Sequence, residues 1–415
     1  MKEAIIRTTL KFAAGSFLLL LQTSAMGQPA GAPQPGNPAA APPSAAALIG
    51  RLDFEKYKAT IKNLTQFGDR RQGTDRNRAA IDWIETQLKS YGCPTERLKY
   101  EYLEPGRTGS EPRVEVASPA NGAEPARTLG GGRDRYLRNP TFLNGDPNRQ
   151  PDPKLRALDM PAAVPGPREE VYCTKIGTTH PEEMYIVSAH MDGHGWGEAA
   201  NDDGSGTALV MELARILNSP DVVTDRSIRF ILWNNEETGH QGSRAYVAQR
   251  RALQGKEMPA GSGKYPEPKW LGMIQHDMML FDHGAPRSDG SISPEQRPEA
   301  DINIEFQSAS KFAAEANTLA WAIEAANERY ATEYPAVIGS HMTNTDSVDF
   351  QDAVASVSLR ENERGTQIGS GWDPHWHQPT DVFATFSDKD FRLGLNAAQT
   401  TLGAVAQLAG ARLKK

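Results

Sequence analysis

Four stretches of this 415-residue chain carry histidines and carboxylates at spacings that could bring them together. "SAHMDGHGWGEAANDD" holds His190, Asp192, His194, Asp202 and Asp203, and "WNNEETGHQGS" holds Glu236, Glu237 and His240. "IQHDM" holds Asp277, and "GWDPHWHQPTD" holds His375, His377 and Asp381. A donor set of histidines and carboxylates without cysteine suits Zn²⁺, and less selectively Mn²⁺ or Co²⁺. Carboxylate-rich sets often hold two ions roughly 3.5–4 Å apart, with one carboxylate bridging. Two divalent ions against Asp202, Glu237, Asp277 and a hydroxide come out neutral. One of the two adjacent glutamates is then free to act as a base.

Such residues converge only if the fold delivers them to one edge. After Glu170 the chain alternates strand and helix. Strands are predicted at 169–177, 184–191, 227–235, 271–279 and 353–361, and helices at 206–217, 242–251, 308–330 and 387–410. Apolar strands alternating with helices predict an α/β protein, a mostly parallel twisted sheet with helices on both faces, an α/β/α sandwich. Ligands in such sheets sit outside the carboxyl ends of the strands. His190 and Asp192, the Glu236–Glu237 pair and Asp277 all stand at such ends, and His377 follows the last strand by a Gly/Trp-rich loop.

The rest of the chain sets the context. A net charge of −7 is too mild to suggest a nucleic-acid surface or a polybasic membrane patch. Residues 1–27 combine Lys2, Arg7 and Lys11 with a short apolar run, Phe12 to Leu21, and small residues before Gln28. This pattern is that of a signal peptide, and the run is about half the ~20 residues a membrane span needs. The mature protein is therefore expected to be exported, periplasmic or secreted, with no membrane span. Residues 28–45 are Pro/Ala-rich and predict an extended linker. The catalytic domain is expected over 46–415, opening with a helix near 75–92 capped by Thr74 or Asp75 and interrupted by an irregular insertion at about 104–167. A separate small domain is the alternative for that insertion. The two cysteines, Cys93 and Cys173, can form one bridge or remain buried thiols.

The ordered set H-x-D, "NDDGSG", "NNEETGHQGS", "HDM" and "HWHQPTD" resembles the zinc-dependent exopeptidase family of bacterial leucyl aminopeptidase, aminopeptidase Y and glutamate carboxypeptidase. The resemblance covers roughly residues 180–410. It implies two zinc ions per chain, one held by His190, Asp202 and Asp277 and the other by Asp202, Glu237 and His377. It also implies Glu236 as general base and Asp192 as the carboxylate that orients His190. The activity implied is an aminopeptidase acting on peptides with a free N-terminus, through a water activated by the metal pair. Gly204, where alanine is frequent in the family, and two long inserts depart from the pattern and bear on specificity.

Other readings stand beside these. Asp203 rivals Asp202 as ligand but could cap the following helix, and His375 rivals His377 two residues away. His194, His240, His276 and His283 read as bystanders, and Asp346 and Asp381 as structural carboxylates. A serine nucleophile at Ser205 is excluded, because the position two residues earlier is Asp203 and not glycine. A glutamate-type carboxypeptidase would use the same site with Arg360 or Arg364 gripping a substrate carboxylate. A glutaminyl cyclase-like transferase would have altered carboxylates, and an inactive binding ectodomain an incomplete set.

Overall fold

The computed structural model describes residues 43–102, 143–281, 302–361, 373 and 375–414. The expected signal peptide, most of the expected linker, the first part of the expected insertion, His283 and Arg364 lie outside the described residues.

The described chain opens with helix α1 at Pro43–Ile49, followed by α2 at Phe54–Leu64. Helix α3, Asp75–Ser90, is capped by Thr74, whose side chain accepts the Asn77 N–H, and it buries Ala80, Ile81, Ile84 and Leu88 on one face. Gly92, at φ 77°, follows the helix in the left-handed conformation that glycine adopts most freely.

Eight strands make the central sheet. They are β1 Thr95–Tyr100, β2 Arg168–Lys175, β3 His180–His190, β5 Arg226–Trp233, β6 Lys269–His276, β7 Ile302–Glu305, β8 Ala336–Gly339 and β9 Ser356–Glu361; β4, Val222–Val223, pairs elsewhere with β10, Arg412–Leu413. The sheet order is β1–β2–β5–β3–β6–β9–β7–β8. The four central strands, β5, β3, β6 and β9, run parallel. Strands β1 and β2 join antiparallel on one side, and β7 lies antiparallel to β9 on the other. The parallel quartet and β2 fall where the sequence predicts strands. Strands β1, β7 and β8 escape sequence reading: "TERLKY" has no apolar run, and the other two are four residues long and lie at the far edge.

Alternation along β3 divides the core in two. Met184 and Ile186 join a cluster with Trp233, Tyr246, Trp270 and Phe350 on one face of the sheet, while Val187 and Ala189 join the larger cluster on the other. Helix α5, Gly204–Leu217, is buried nearly all round within the larger cluster, as is much of α8, Asp388–Leu408. The smaller cluster is covered by α6, Gln241–Arg250, and α7, Ala313–Tyr330, lies with α8. Cys93 and Cys173 are bridged, with Cα atoms 5.7 Å apart, tying the segment after α3 to β2. Of the insertion, residues 143–167 form a 3₁₀ turn at Pro147–Arg149 and helix α4 at Pro153–Asp159. No helix among the described residues is long and apolar enough to cross a membrane.

Candidate metal centre

The carboxyl ends of the parallel strands bring the predicted residues together. His190 is the last residue of β3, Asp277 follows β6 directly, and the Glu236–Glu237 pair follows β5. Asp202 lies at the end of the loop between β3 and α5. The next residue, Asp203, caps α5, its carboxylate accepting the N–H of Gly206, and it also accepts those of His190 and Met278. The neighbouring aspartates thus divide the work: Asp203 is spent on backbone, and Asp202 faces the histidines.

Asp202 Oδ1 is 3.2 Å from His190 Nε2, and its Oδ2 is 3.1 Å from His377 Nε2. Asp277 Oδ1 lies 3.7 Å from His190 Nε2, and Glu237 Oε2 lies 2.9 Å from His377 Nε2. His375 points elsewhere, its Nδ1 2.9 Å from Thr380 Oγ1. His276 is a satisfied core histidine between Ser188 O and Thr401 Oγ1. Asp346 is buried and accepts from Gln275. The residues border a cavity of about 230 Å³ whose wall also includes Glu236, His240, Arg360 and Trp376.

Two placements differ from the sequence reading. His194, read as a bystander, puts Nε2 2.9 Å from Glu237 Oε2, with its ring edge-on to that of His377 at a centroid distance of 4.0 Å. The glycines around it carry no strand-end signal, so only the folded loop reveals it. The ring of His190 is oriented differently from expectation too. Its Nδ1 lies 3.0 Å from the backbone carbonyl of Asp192, whereas the Asp192 carboxylate is 3.9 Å away and accepts the N–H of Glu236 at 3.1 Å. The carbonyl sits closer because the two residues are neighbours along the strand exit, which leaves the carboxylate for the next strand.

The fit of this site to cations can be judged from its own atoms. His190 Nε2, His194 Nε2 and Glu237 Oε1 are buried and have no hydrogen-bond partner. Both ring nitrogens nonetheless lie within about 3 Å of a carboxylate oxygen. Crowded polar atoms that do not align with one another are what ligands of a shared ion look like, since orphaned buried groups are otherwise rare. Two groups of donor atoms meet the spacing, His190–Asp202–Asp277 and His194–Glu237–His377. Charge agrees. Burial opposes the ionised form of Glu237, yet the His194 and His377 rings beside it hold its carboxyl at about 2. Burial would likewise lower His377, but Glu237 and Asp202 hold its proton up to about 10. Asp202, Glu237 and Asp277 are all held in the ionised form, so three negative charges face the space between the histidines.

Residues remote in sequence lock the loops. The fully buried Arg70 donates to the carbonyls of Met191, Glu198 and Ala199. Gln150, from the insertion, donates to Trp196 O at 2.6 Å and Pro379 O at 3.0 Å. The Asp381 carboxylate accepts the N–H groups of Asn201 and Asp202. Arg360 donates to Asp277 Oδ2 at 2.7 Å. A Cβ on Gly204 would stand 2.8 Å from Ala199 O, so the side-chain-free start of α5 is matched to this loop. Sequence spacing carries no signal for Arg70 or Gln150.

The sequence profile of peptidase family M28 matches residues 171–397. Aminopeptidase YwaD of Bacillus subtilis is 47% identical over 68 residues, 16% of this chain and 14% of that protein. Carboxypeptidase Q of Xenopus laevis is 34% identical over 71 residues, 17% of this chain and 15% of that protein. The matched stretches thus span about a seventh of these relatives' length. Among solved structures, an aminopeptidase from Aneurinibacillus sp. strain AM-1 superposes with TM-score 0.56 at 18% identity, over 90% of this chain and 97% of its own. A glutaminyl cyclase of Porphyromonas gingivalis superposes with TM-score 0.52 at 16% identity, over 86% and 99%. At these identities the structural likeness is one of fold.

Proposed function

We propose that this chain, which belongs to peptidase family M28, is an exported aminopeptidase that removes residues from the free N-termini of peptides and works with two zinc ions. The observation that carries this reading is the two-sided placement of Asp202, one oxygen toward His190 and the other toward His377. A carboxylate so placed can belong to two ligand sets, His190, Asp202 and Asp277 for one ion and Asp202, Glu237 and His377 for the other. Zinc bound there would lower the pKa of water and polarise the peptide carbonyl.

The remaining work falls to side chains. Glu236 stands on the cavity wall beside the ligand Glu237. Its carboxylate takes the proton of the attacking water and returns it to the leaving nitrogen. Asp192 holds two participants at once, His190 through its carbonyl and Glu236 through its carboxylate. The cavity is small beside the roughly 300–1,000 Å³ of pockets that enclose drug-sized ligands, so it suits the end of a chain. Export rests on the leader pattern of residues 1–27.

A glutamate-type carboxypeptidase is the second reading, because Arg360 lines the cavity. Its guanidinium already donates to Asp277, so gripping a substrate carboxylate would draw it from a ligand. A glutaminyl cyclase-like transferase is disfavoured by the completeness of both ligand sets. The test is an assay of the zinc-loaded protein on an aminoacyl anilide with a free amine, its N-acetylated analogue, and a peptide ending in glutamate. Cleavage of the first alone is expected, and equal cleavage of the acetylated analogue overturns the proposal.

A further inference from the structure

We infer that His194 is an additional metal ligand, which makes the Glu237–His377 position the closed, tighter-binding one of the pair and leaves the His190–Asp277 position open for chemistry. The inference rests on the two-metal reading and adds to it a residue outside that reading's ligand sets.

Three observations converge. First, donor atoms of His194, Glu237 and His377 all lie within 4.8 Å of one another, and Glu237 Oε2 is 2.9 Å from both ring nitrogens. Second, His194 Nε2 is buried without a hydrogen-bond partner, although that carboxylate oxygen is so near. A histidine placed only to bond Glu237 would align with it; this one is placed for a third atom that both would face. Third, the loop is held from several sides. Arg70 binds its carbonyls at Glu198 and Ala199, and Gln150 ties Trp196 to Pro379. Gly195, at φ 103°, packs directly on the backbone of His377, where a Cβ would come within 2.5 Å of the His377 carbonyl carbon. A ligand on such a braced loop is preorganised.

Counting donors gives the consequence. With His194, one position has His194, His377, Glu237 and the shared Asp202, four protein ligands, and the other has His190, Asp277 and Asp202, three. Four protein ligands are the mark of closed zinc sites, whereas catalytic sites keep three and an open place. The two ions are therefore expected to bind unequally.

The test uses the full chain, stripped of metal and titrated with Co²⁺ alone. Binding is followed by visible absorption, and the loaded protein is examined by paramagnetic proton NMR. The wild type should take up two ions in two separable steps and show three exchangeable, hyperfine-shifted imidazole N–H signals. His194→Gln should lose one of these signals and weaken the tighter step by at least about tenfold. Two signals in the wild type, with both binding steps unchanged in His194→Gln, overturn the inference and leave the two-metal reading standing. Uptake of fewer than two ions by the wild type overturns both. Should His194→Gln fold poorly, as judged by its metal-free melting temperature, the signal count of the wild type decides alone.

Discussion

The carboxylate of Asp381 accepts the backbone N–H of Asp202 at 3.1 Å, so the last loop of the domain holds the residue that the first loop presents to both histidines. Its other oxygen takes the N–H of Asn201 at 2.8 Å, and Asp381 is itself buried. Asp381→Ala should therefore reduce zinc affinity by about 10–100-fold, the usual effect of removing a partner behind a ligand. Leaving two buried N–H groups without acceptors should also lower stability by about 1–3 kcal/mol each. Competition with a chelator measures the first effect and thermal denaturation the second.

Glu236 and Glu237 are adjacent, and the structure gives them different surroundings. Both line the cavity, but Glu237 lies between His194 and His377, whereas Glu236 has its Oε1 3.4 Å from His240 Nε2. Glu236→Gln should retain its full zinc content and lose about 10²–10⁴-fold in kcat. Elemental analysis beside a rate assay separates the roles, and loss of zinc in this variant would mean they are exchanged.

The Cys93–Cys173 bridge closes a loop with a sequence separation of 80. Its removal by the double Cys→Ser substitution should destabilise the fold by about 2–5 kcal/mol. Both sulfurs lie in the larger core cluster, so zinc content at a temperature where the variant is folded should not change. Denaturation curves and metal analysis of the two proteins check this.

Asp159, at the end of α4, carries a pH dependence away from the candidate metal centre. Burial first, and then the negative charge of Asp69, push its carboxyl up to about 8. The folded form therefore holds a proton that the unfolded chain, at the usual 3.8, releases. The associated stability is fully present below about pH 4 and is lost as pH rises through 8. Asp159→Asn should flatten this part of the stability–pH curve between 4 and 8, which denaturant melts at a series of pH values would measure.

Much of this site is readable from local rules. His190, Glu237 and Asp277 follow apolar strands, and the carboxyl ends of parallel strands are where chemistry collects. Asp203 stands where a helix cap is expected, and it caps α5. The bracing of the site is a matter of tertiary structure. Arg70 and Gln150 reach loops more than 40 residues away, and no periodicity records that meeting. His194 is hidden for a related reason: it stands between two glycines, and its role depends on a loop held by other segments. Strands β7 and β8 are not legible because runs of four residues are too short to show a period, even though β7 is buried throughout.

The most direct test of the account is the zinc content of the wild type and of Asp202→Asn after equilibration with limiting chelator. If Asp202 serves two ions, the wild type holds two zincs per chain and the variant at most one, because both sets lose the same ligand. A wild type with a single zinc, or a variant that keeps two, would contradict the shared carboxylate on which the mechanism depends.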